Sequence, residues 1–208
     1  MARYANDGSA IYVAFLADGV SSRQDAPAGS AIFRSELAAR RAAAQTACGI
    51  LGANVVSFGD FPDNRLDTIA FLDIVKFIEA LFRQYRPETV LTHHVGDLNI
   101  DHRTAHRAVE TACRPLTGSS VKTIASFEVP SSTEWRLAGH SAAFTPNWFV
   151  DVSQWLDHKL RAIDAYATEM REWPHPRSRR AVEYLARLRG ASVGVDAAEA
   201  YMLGRKLS

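Results

Sequence analysis

From Ala10 to Leu16 the chain reads Ala-Ile-Tyr-Val-Ala-Phe-Leu, an apolar run rich in β-formers that ends at the turn-like Ala17-Asp18-Gly19. Such a run predicts a buried strand of the kind found in parallel sheets. Ala, Arg and Leu then recur at helical spacing from about Ser30 to Leu51, with Ser30 placed to cap the start and Gly52 to end the helix. A second strand is expected over residues 54–58. The turn Phe61-Pro62-Asp63-Asn64-Arg65 leads to a helix over residues 72–85, where Leu72, Val75, Ile78, Leu81 and Phe82 trace one apolar face before Pro87. A third strand, residues 89–92, opens into the loop His93-His94-Val95-Gly96-Asp97-Leu98-Asn99-Ile100, and another helix begins near Asp101. Residues 121–129 predict a further strand, followed by a long irregular stretch to about Asp151. The last third is helical over residues 152–170 and 178–189, broken at Pro174-His175-Pro176.

Short apolar strands alternating with long helices predict an α/β fold, a Rossmann-like three-layer sandwich with a mostly parallel sheet. At about 100–200 residues per domain, 208 residues are expected to form one domain over residues 1–208. With 24 Lys plus Arg against 23 Asp plus Glu, the net charge of +1 gives no electrostatic footprint for nucleic acid. No apolar run approaches the roughly 20 residues that span a bilayer, and residues 1–8 lack a secretory h-region. A cytoplasmic location is therefore expected, and the oligomeric state, a homo-oligomer included, stays open. Cys48 and Cys113 read as buried thiols, since no Cys-x-x-Cys pair is present.

The strongest chemical signal is the grouping of His93, His94, His102 and His106 with Asp97 and Asp101. Ligands of open α/β sheets bind outside the carboxyl ends of strands, and the loop after Thr92 is such an end. Imidazole and carboxylate suit zinc or another divalent metal. His102 at the helix start is a candidate metal ligand, or a histidine with a structural hydrogen bond. Asp101 is placed to cap the helix or to hold a ligand imidazole. His93 and His94 should point to opposite sides of the strand end, so that at most one of them faces the site. Asp97 reads equally as a turn former or a site residue, and Asp63, Asn64 and Arg65 as substrate hydrogen bonders or a capped loop. His106 reads as packing. Among the tryptophans only Trp135, on the long loop, is a candidate for substrate contact. Neither a Gly-x-Ser-x-Gly elbow nor a phosphate-binding glycine loop is present.

The run Thr92-His93-His94-Val95-Gly96-Asp97-Leu98-Asn99-Ile100-Asp101-His102-Arg103 resembles the signature of the LmbE-like (PIG-L) N-deacetylases. Phe15-Leu16-Ala17-Asp18-Gly19, Phe61-Pro62-Asp63-Asn64-Arg65, the stretch from Phe127 to Trp135, and the tail around Ala198-Glu199-Ala200 carry the resemblance along nearly the whole chain. It implies a zinc hydrolase that removes acetyl from an N-acetylated amino sugar or sugar conjugate. It also implies that His102 is the metal ligand and Asp101 the carboxylate behind it. Asn99 stands where some members have a histidine, and His94, with Asn99 and Asp101, completes the expected catalytic set. Asp63, Asn64, Arg65, Asp97 and Trp135 form the expected substrate-binding set, with substrate choice set by loops such as residues 131–149.

The family's first strand ends in His-Pro-Asp-Asp-Glu, which carries two metal ligands and the general base. No such motif occurs in residues 1–208, and the chain's His175-Pro176 is followed by Arg177. The chain resembles a family member without that N-terminal segment, through a misassigned start or a genuine loss. With one ligand left, the chain as it stands is expected to be inactive. The alternative is a catalytically dead sugar-binding or regulatory homologue, and a metal-independent hydrolase with His94 or His102 as base ranks behind both.

Overall fold

The computed structural model describes residues 1–22, 29–137, 139 and 142–208. These residues divide into two compact units, one of Met1–Asp63 with Val150–Glu199 and one of Asn64–Phe149 with Ala200–Ser208.

In the first unit, a short helix α1 (Ala2–Asn6) precedes strand β1 (Tyr12–Ala17), helix α2 (Ala31–Ile50) and strand β2 (Asn54–Phe61). The boundaries of α2 follow local chemistry. The Ser30 side chain accepts the Phe33 N–H at 3.1 Å, and Gly52 takes φ +66° just beyond the last turn, the left-handed conformation that favours glycine. β1 and β2 pair in parallel from Tyr12 opposite Asn54 to Ala17 opposite Phe61. β1 is only half-buried, with Tyr12 44% exposed. The fully buried strand that its apolar run predicts is therefore corrected, for among the described residues its only strand partner is β2. Helices α5 (Leu156–Asp164) and α6 (Arg179–Ala191) complete the unit, α2 packing on β2 and α5, and α5 on α6. Ser178 caps α6 through the Ala181 N–H at 3.1 Å.

Gly190 shows how tightly this unit closes. A Cβ there would lie 2.5 Å from the Val195 carbonyl oxygen and 2.7 Å from backbone atoms of Ala197. Glycine to alanine in a helix ordinarily stabilises by about 0.5–1 kcal/mol. Here the clash is with backbone, so Gly190→Ala is expected to destabilise by about 1–3 kcal/mol, measured by denaturant unfolding. A variant as stable as the parent would show that the Val195–Ala197 turn does not sit against the helix.

The second unit contains α3 (Phe71–Tyr85), β3 (Thr89–His93), α4 (Ile100–Ala112) and β4 (Thr123–Phe127). Its sheet runs in the order β3, β4, β6 (Ala198–Lys206), β5 (Trp148–Asp151), the last two strands crossing the boundary between the units. β3 and β4 are parallel, whereas β4 and β6 are antiparallel. The fold is of the α/β class with parallel strand pairs, as expected. The C-terminal strand β6 and the short β5 are additions that the periodicity did not signal. On α3 Val75 and Ile78 are buried as expected and Leu81 and Phe82 are partly buried, with Ile74 buried beside them, while Leu72 at the first turn is 57% exposed. Val90, Cys113 and Val121 form a buried cluster with Phe82, Val109 and Ile124 around it, and both cysteines are free, buried thiols. No helix among the described residues is long and apolar enough to cross a membrane.

Candidate functional site

The loop from His94 to Asn99 joins the carboxyl end of β3 to the first turn of α4, and two side chains shape it. Asn99 caps α4, its Oδ1 accepting the Asp101 N–H at 2.8 Å, and Asp97 accepts the Asn99 N–H at 2.8 Å. Arg103, one turn into the helix, donates to the Asp97 carbonyl at 2.7 Å and to that of Leu98. The chain is thus folded back so that Asp97 points inward.

Asp97 is fully buried. Its carboxylate accepts His102 Nδ1 at 3.0 Å and Thr133 Oγ1 at 2.7 Å, together with the Ser132 hydroxyl. Burial alone would raise the carboxyl above its ordinary range, but the hydrogen bonds from His102, Ser132 and Thr133 outweigh it and hold the group well below. Asp97 is therefore an anion throughout the neutral range. The turn that delivers Ser132 and Thr133 is itself braced, since Glu134 accepts the Ser131 N–H at 2.6 Å and Thr133 Oγ1 accepts the Val129 N–H at 2.7 Å.

An ionised carboxylate only accepts, so the proton of the contact lies on His102 Nδ1, and in the neutral ring the lone pair is on Nε2. That is the tautomer of a metal ligand or a general base, with the carboxylate behind it fixing the ring. His93 stacks on this ring at 4.1 Å between centroids and 17° between planes, and lies 4.9 Å from Phe127. Burial, with the neighbouring His102, lowers His93 from the usual 6.5 to about 3, so it is neutral beside His102.

The other expected residues are placed as follows. Asp101 was expected to cap the helix or hold a ligand imidazole, but the N-cap of α4 is Asn99, and Asp97, four residues earlier, holds His102. Asp101 instead accepts the N–H groups of Asn64 at 2.7 Å and Leu66 at 2.9 Å, fixing the turn where Asn64 takes φ +55°. Asn99 Nδ2 donates to Asn64 Oδ1 at 2.9 Å, so Asn64, Asn99 and Asp101 are brought together. His94 faces away from His102: Nε2 lies 2.9 Å from the Ala142 carbonyl, its ring meets Phe144 edge-on, and Nδ1 is buried without a partner. Of the strand-end pair it is His93 that lies on His102. His106 Nδ1 bonds the His93 carbonyl at 2.8 Å, a packing role. The Asp63 side chain accepts the Ser22 hydroxyl in the first unit, Arg65 is exposed, and Trp135 is 47% exposed on its loop. Residues 138, 140 and 141 of the expected specificity loop lie outside the described residues.

Ser132 and Thr133 are the neighbours that sequence reasoning did not single out for the site, and of the pair His93 and His94 it gave the catalytic place to His94, whereas His93 lies on His102. A Ser-Ser-Thr run directly after a predicted strand end was the available signal, and nothing local tied it to Asp97.

The descriptor of the matching family model is "PIG-L: GlcNAc-PI de-N-acetylase", and the match covers residues 1–113. No curated protein sequence matches the chain. Three solved structures are similar in fold. The 4-carboxy-2-hydroxymuconate hydratase of Pseudomonas putida has a TM-score of 0.77 at 23% identity, covering 100% of this chain and 89% of its own. The N,N'-diacetylchitobiose deacetylase of Pyrococcus horikoshii has a TM-score of 0.75 at 15% identity, covering 98% and 76%. A zinc-inhibited form of a teicoplanin deacetylase has a TM-score of 0.71 at 13% identity, covering 97% and 90%. At these identities the likeness shows the fold alone, and a hydratase beside two deacetylases illustrates that fold does not decide reaction. The match over more than half of the residues, together with the Asp97–His102 loop that lies inside it, shows that the chain belongs to the PIG-L family.

Proposed function

We propose that the site serves N-deacetylation: water adds to the carbonyl carbon of an acetamido group on an amino sugar or sugar conjugate, the C–N bond breaks, and acetate and a free amine leave. The observation that carries this reading is His102, presented at the start of α4 by a fully buried carboxylate, within a chain of a de-N-acetylase family. The catalytic roles of Asn99, Asp101 and His94, and the substrate contacts of Asp63, Asn64, Arg65, Asp97 and Trp135, belong to the same proposal, as do a single domain, a cytoplasmic location and an open choice of oligomer.

Zinc or another divalent ion is part of it too, with His102 Nε2 as the ligand. A catalytic zinc takes about three protein ligands, and the described residues contain no group of three or more His, Cys, Asp or Glu that could hold an ion. The donor set among the described residues therefore does not fit a metal by itself. What the described residues do supply is a fixed imidazole and a neutral aromatic neighbour beside it.

The test is metal content and acetate release, measured on residues 1–208 and on any naturally longer form. Residues 1–208 are expected to hold well below one zinc per chain and to release no acetate from N-acetylglucosaminides. In a form that does both, His102→Ala should lower turnover at least about 100-fold, more than loss of an outer-shell partner does. Sugar binding without acetate release in every form would favour the sugar-binding homologue. Stoichiometric zinc on residues 1–208 would show that this ligand set is misread.

A further inference from the structure

The loop between β3 and α4 is bonded to two turns of the second unit that differ in chemistry. On the first, the Asn64 and Asn99 side chains meet at 2.9 Å, Asp101 fixes the backbone, and Arg65 is exposed beside them. Amides and a guanidinium match sugar hydroxyls, which both donate and accept. On the second, the Leu98 N–H donates to the Ser132 carbonyl at 3.4 Å and Thr133 Oγ1 donates to Asp97 at 2.7 Å, so residues 94–98 and 131–137 are adjoining turns. Each is closed by its own backbone bond, Asp97 N–H to the His94 carbonyl at 3.2 Å and Arg136 N–H to the Thr133 carbonyl at 3.4 Å.

These adjoining turns hold four large apolar side chains in solvent, from 41% exposed at Val95 to 72% at Leu137, with Leu98 and Trp135 between those values. Single exposed apolar residues need no explanation, but a group of them on hydrogen-bonded turns marks a binding surface. Position names the occupant. The same two turns carry Asp97 and the Ser132 and Thr133 hydroxyls behind His102, so a molecule reacting at His102 has them as its neighbours. Charge narrows it further: Glu134 and Arg136 balance, and Asp97 is fully buried, so the surface of these turns has no net charge to select an anion. We propose that Val95, Leu98, Trp135 and Leu137 form an aglycone subsite, and that the substrate is an N-acetylated amino sugar bearing a neutral aryl or alkyl group. The sugar hydroxyls meet Asn64, Arg65 and Asn99, and the apolar group lies on the 95–98 and 131–137 turns. This inference rests on the deacetylase reading of the His102 site.

The experiment is titration of isotope-labelled residues 1–208 with methyl N-acetylglucosaminide, phenyl N-acetylglucosaminide and N-acetylglucosamine 1-phosphate, followed by amide chemical shifts. The phenyl glycoside is expected to bind about five- to thirty-fold more tightly than the methyl glycoside, through burial of its ring. It should also shift Leu98 and Trp135, which the methyl glycoside leaves in place. Leu98→Ser and Leu137→Ser should each cut the phenyl-to-methyl affinity ratio at least about two-fold. Both side chains are exposed, and unchanged shifts elsewhere in the spectra show that the variants fold. The proposal is overturned by equal affinity for the two glycosides, by tighter binding of the phosphate than of the phenyl glycoside, or by an unchanged ratio in both variants. In those outcomes, methyl glycoside shifts at Asn99 and His102 leave the deacetylase reading standing. No shift with any probe up to roughly 50 mM, well above a millimolar Kd, overturns both.

Discussion

Asp97→Ala is expected to lower the unfolding free energy by about 3 kcal/mol or more, because three side-chain donors lose a charged, buried acceptor at once. His102 Nδ1, the Ser132 hydroxyl and the Thr133 hydroxyl all converge on that carboxylate. The loss should appear as a fall in Tm of roughly 6–12 °C for a chain of this size. Asp97→Asn keeps one acceptor oxygen and the shape, so it should cost less while releasing the His102 tautomer. Nitrogen-15 spectra of the imidazole would show the proton shared between Nδ1 and Nε2 in the asparagine variant, and confined to Nδ1 in the parent. An alanine variant within about 0.5 kcal/mol of the parent, the range of ordinary surface substitutions, would mean that the loop and the 131–134 turn are not joined through Asp97.

The second large effect is loss of stability in mild acid. In the unfolded chain His93 takes up a proton near its usual 6.5, whereas the folded chain resists until about pH 3. Between those values the unfolded state binds more protons, so stability falls as pH is lowered from about 6.5 to about 3. Asp97 adds to the lower part of this range. Its folded carboxyl is held below the ordinary carboxylate range, so its stabilisation is complete above that range and declines as pH falls through and below it. Urea midpoints measured between pH 7 and pH 3 should therefore drop steadily. His93→Phe keeps a flat ring against Phe127 and His102 but has no titrating nitrogen, and its midpoints should change less between pH 6.5 and pH 4. Parallel curves for parent and variant would show that His93 is not the group responsible.

The elements that local chemistry specifies were legible in the chain itself. Ser30 and Gly52 mark the ends of α2 because a serine oxygen reaches an N–H within one turn and a glycine tolerates a positive φ. The position of the histidine loop at the end of β3, and the resemblance that led to the family, were legible for the same reason: both lie in one continuous run of residues. On α3 the periodicity marked Val75 and Ile78 as buried, whereas the exposure of Leu72 at its first turn was set by packing.

What the tertiary structure decided are the partnerships between distant residues. Asp97 and Asp101 are both carboxylates near His102, and nothing in their spacing shows that the first holds the imidazole while the second fixes the turn at Asn64 and Leu66. The choice depends on Ser132 and Thr133, some 35 residues further on, which arrive only when the strand before them pairs with β3. The same holds for His93, which reaches His102 because its strand register sets it opposite Phe127, and for β6, whose antiparallel place beside β4 no local pattern encodes. Caps and periodicities act within a turn or two of chain and are written in the sequence; hydrogen bonds and strand pairings between remote segments exist only once the fold has brought them together.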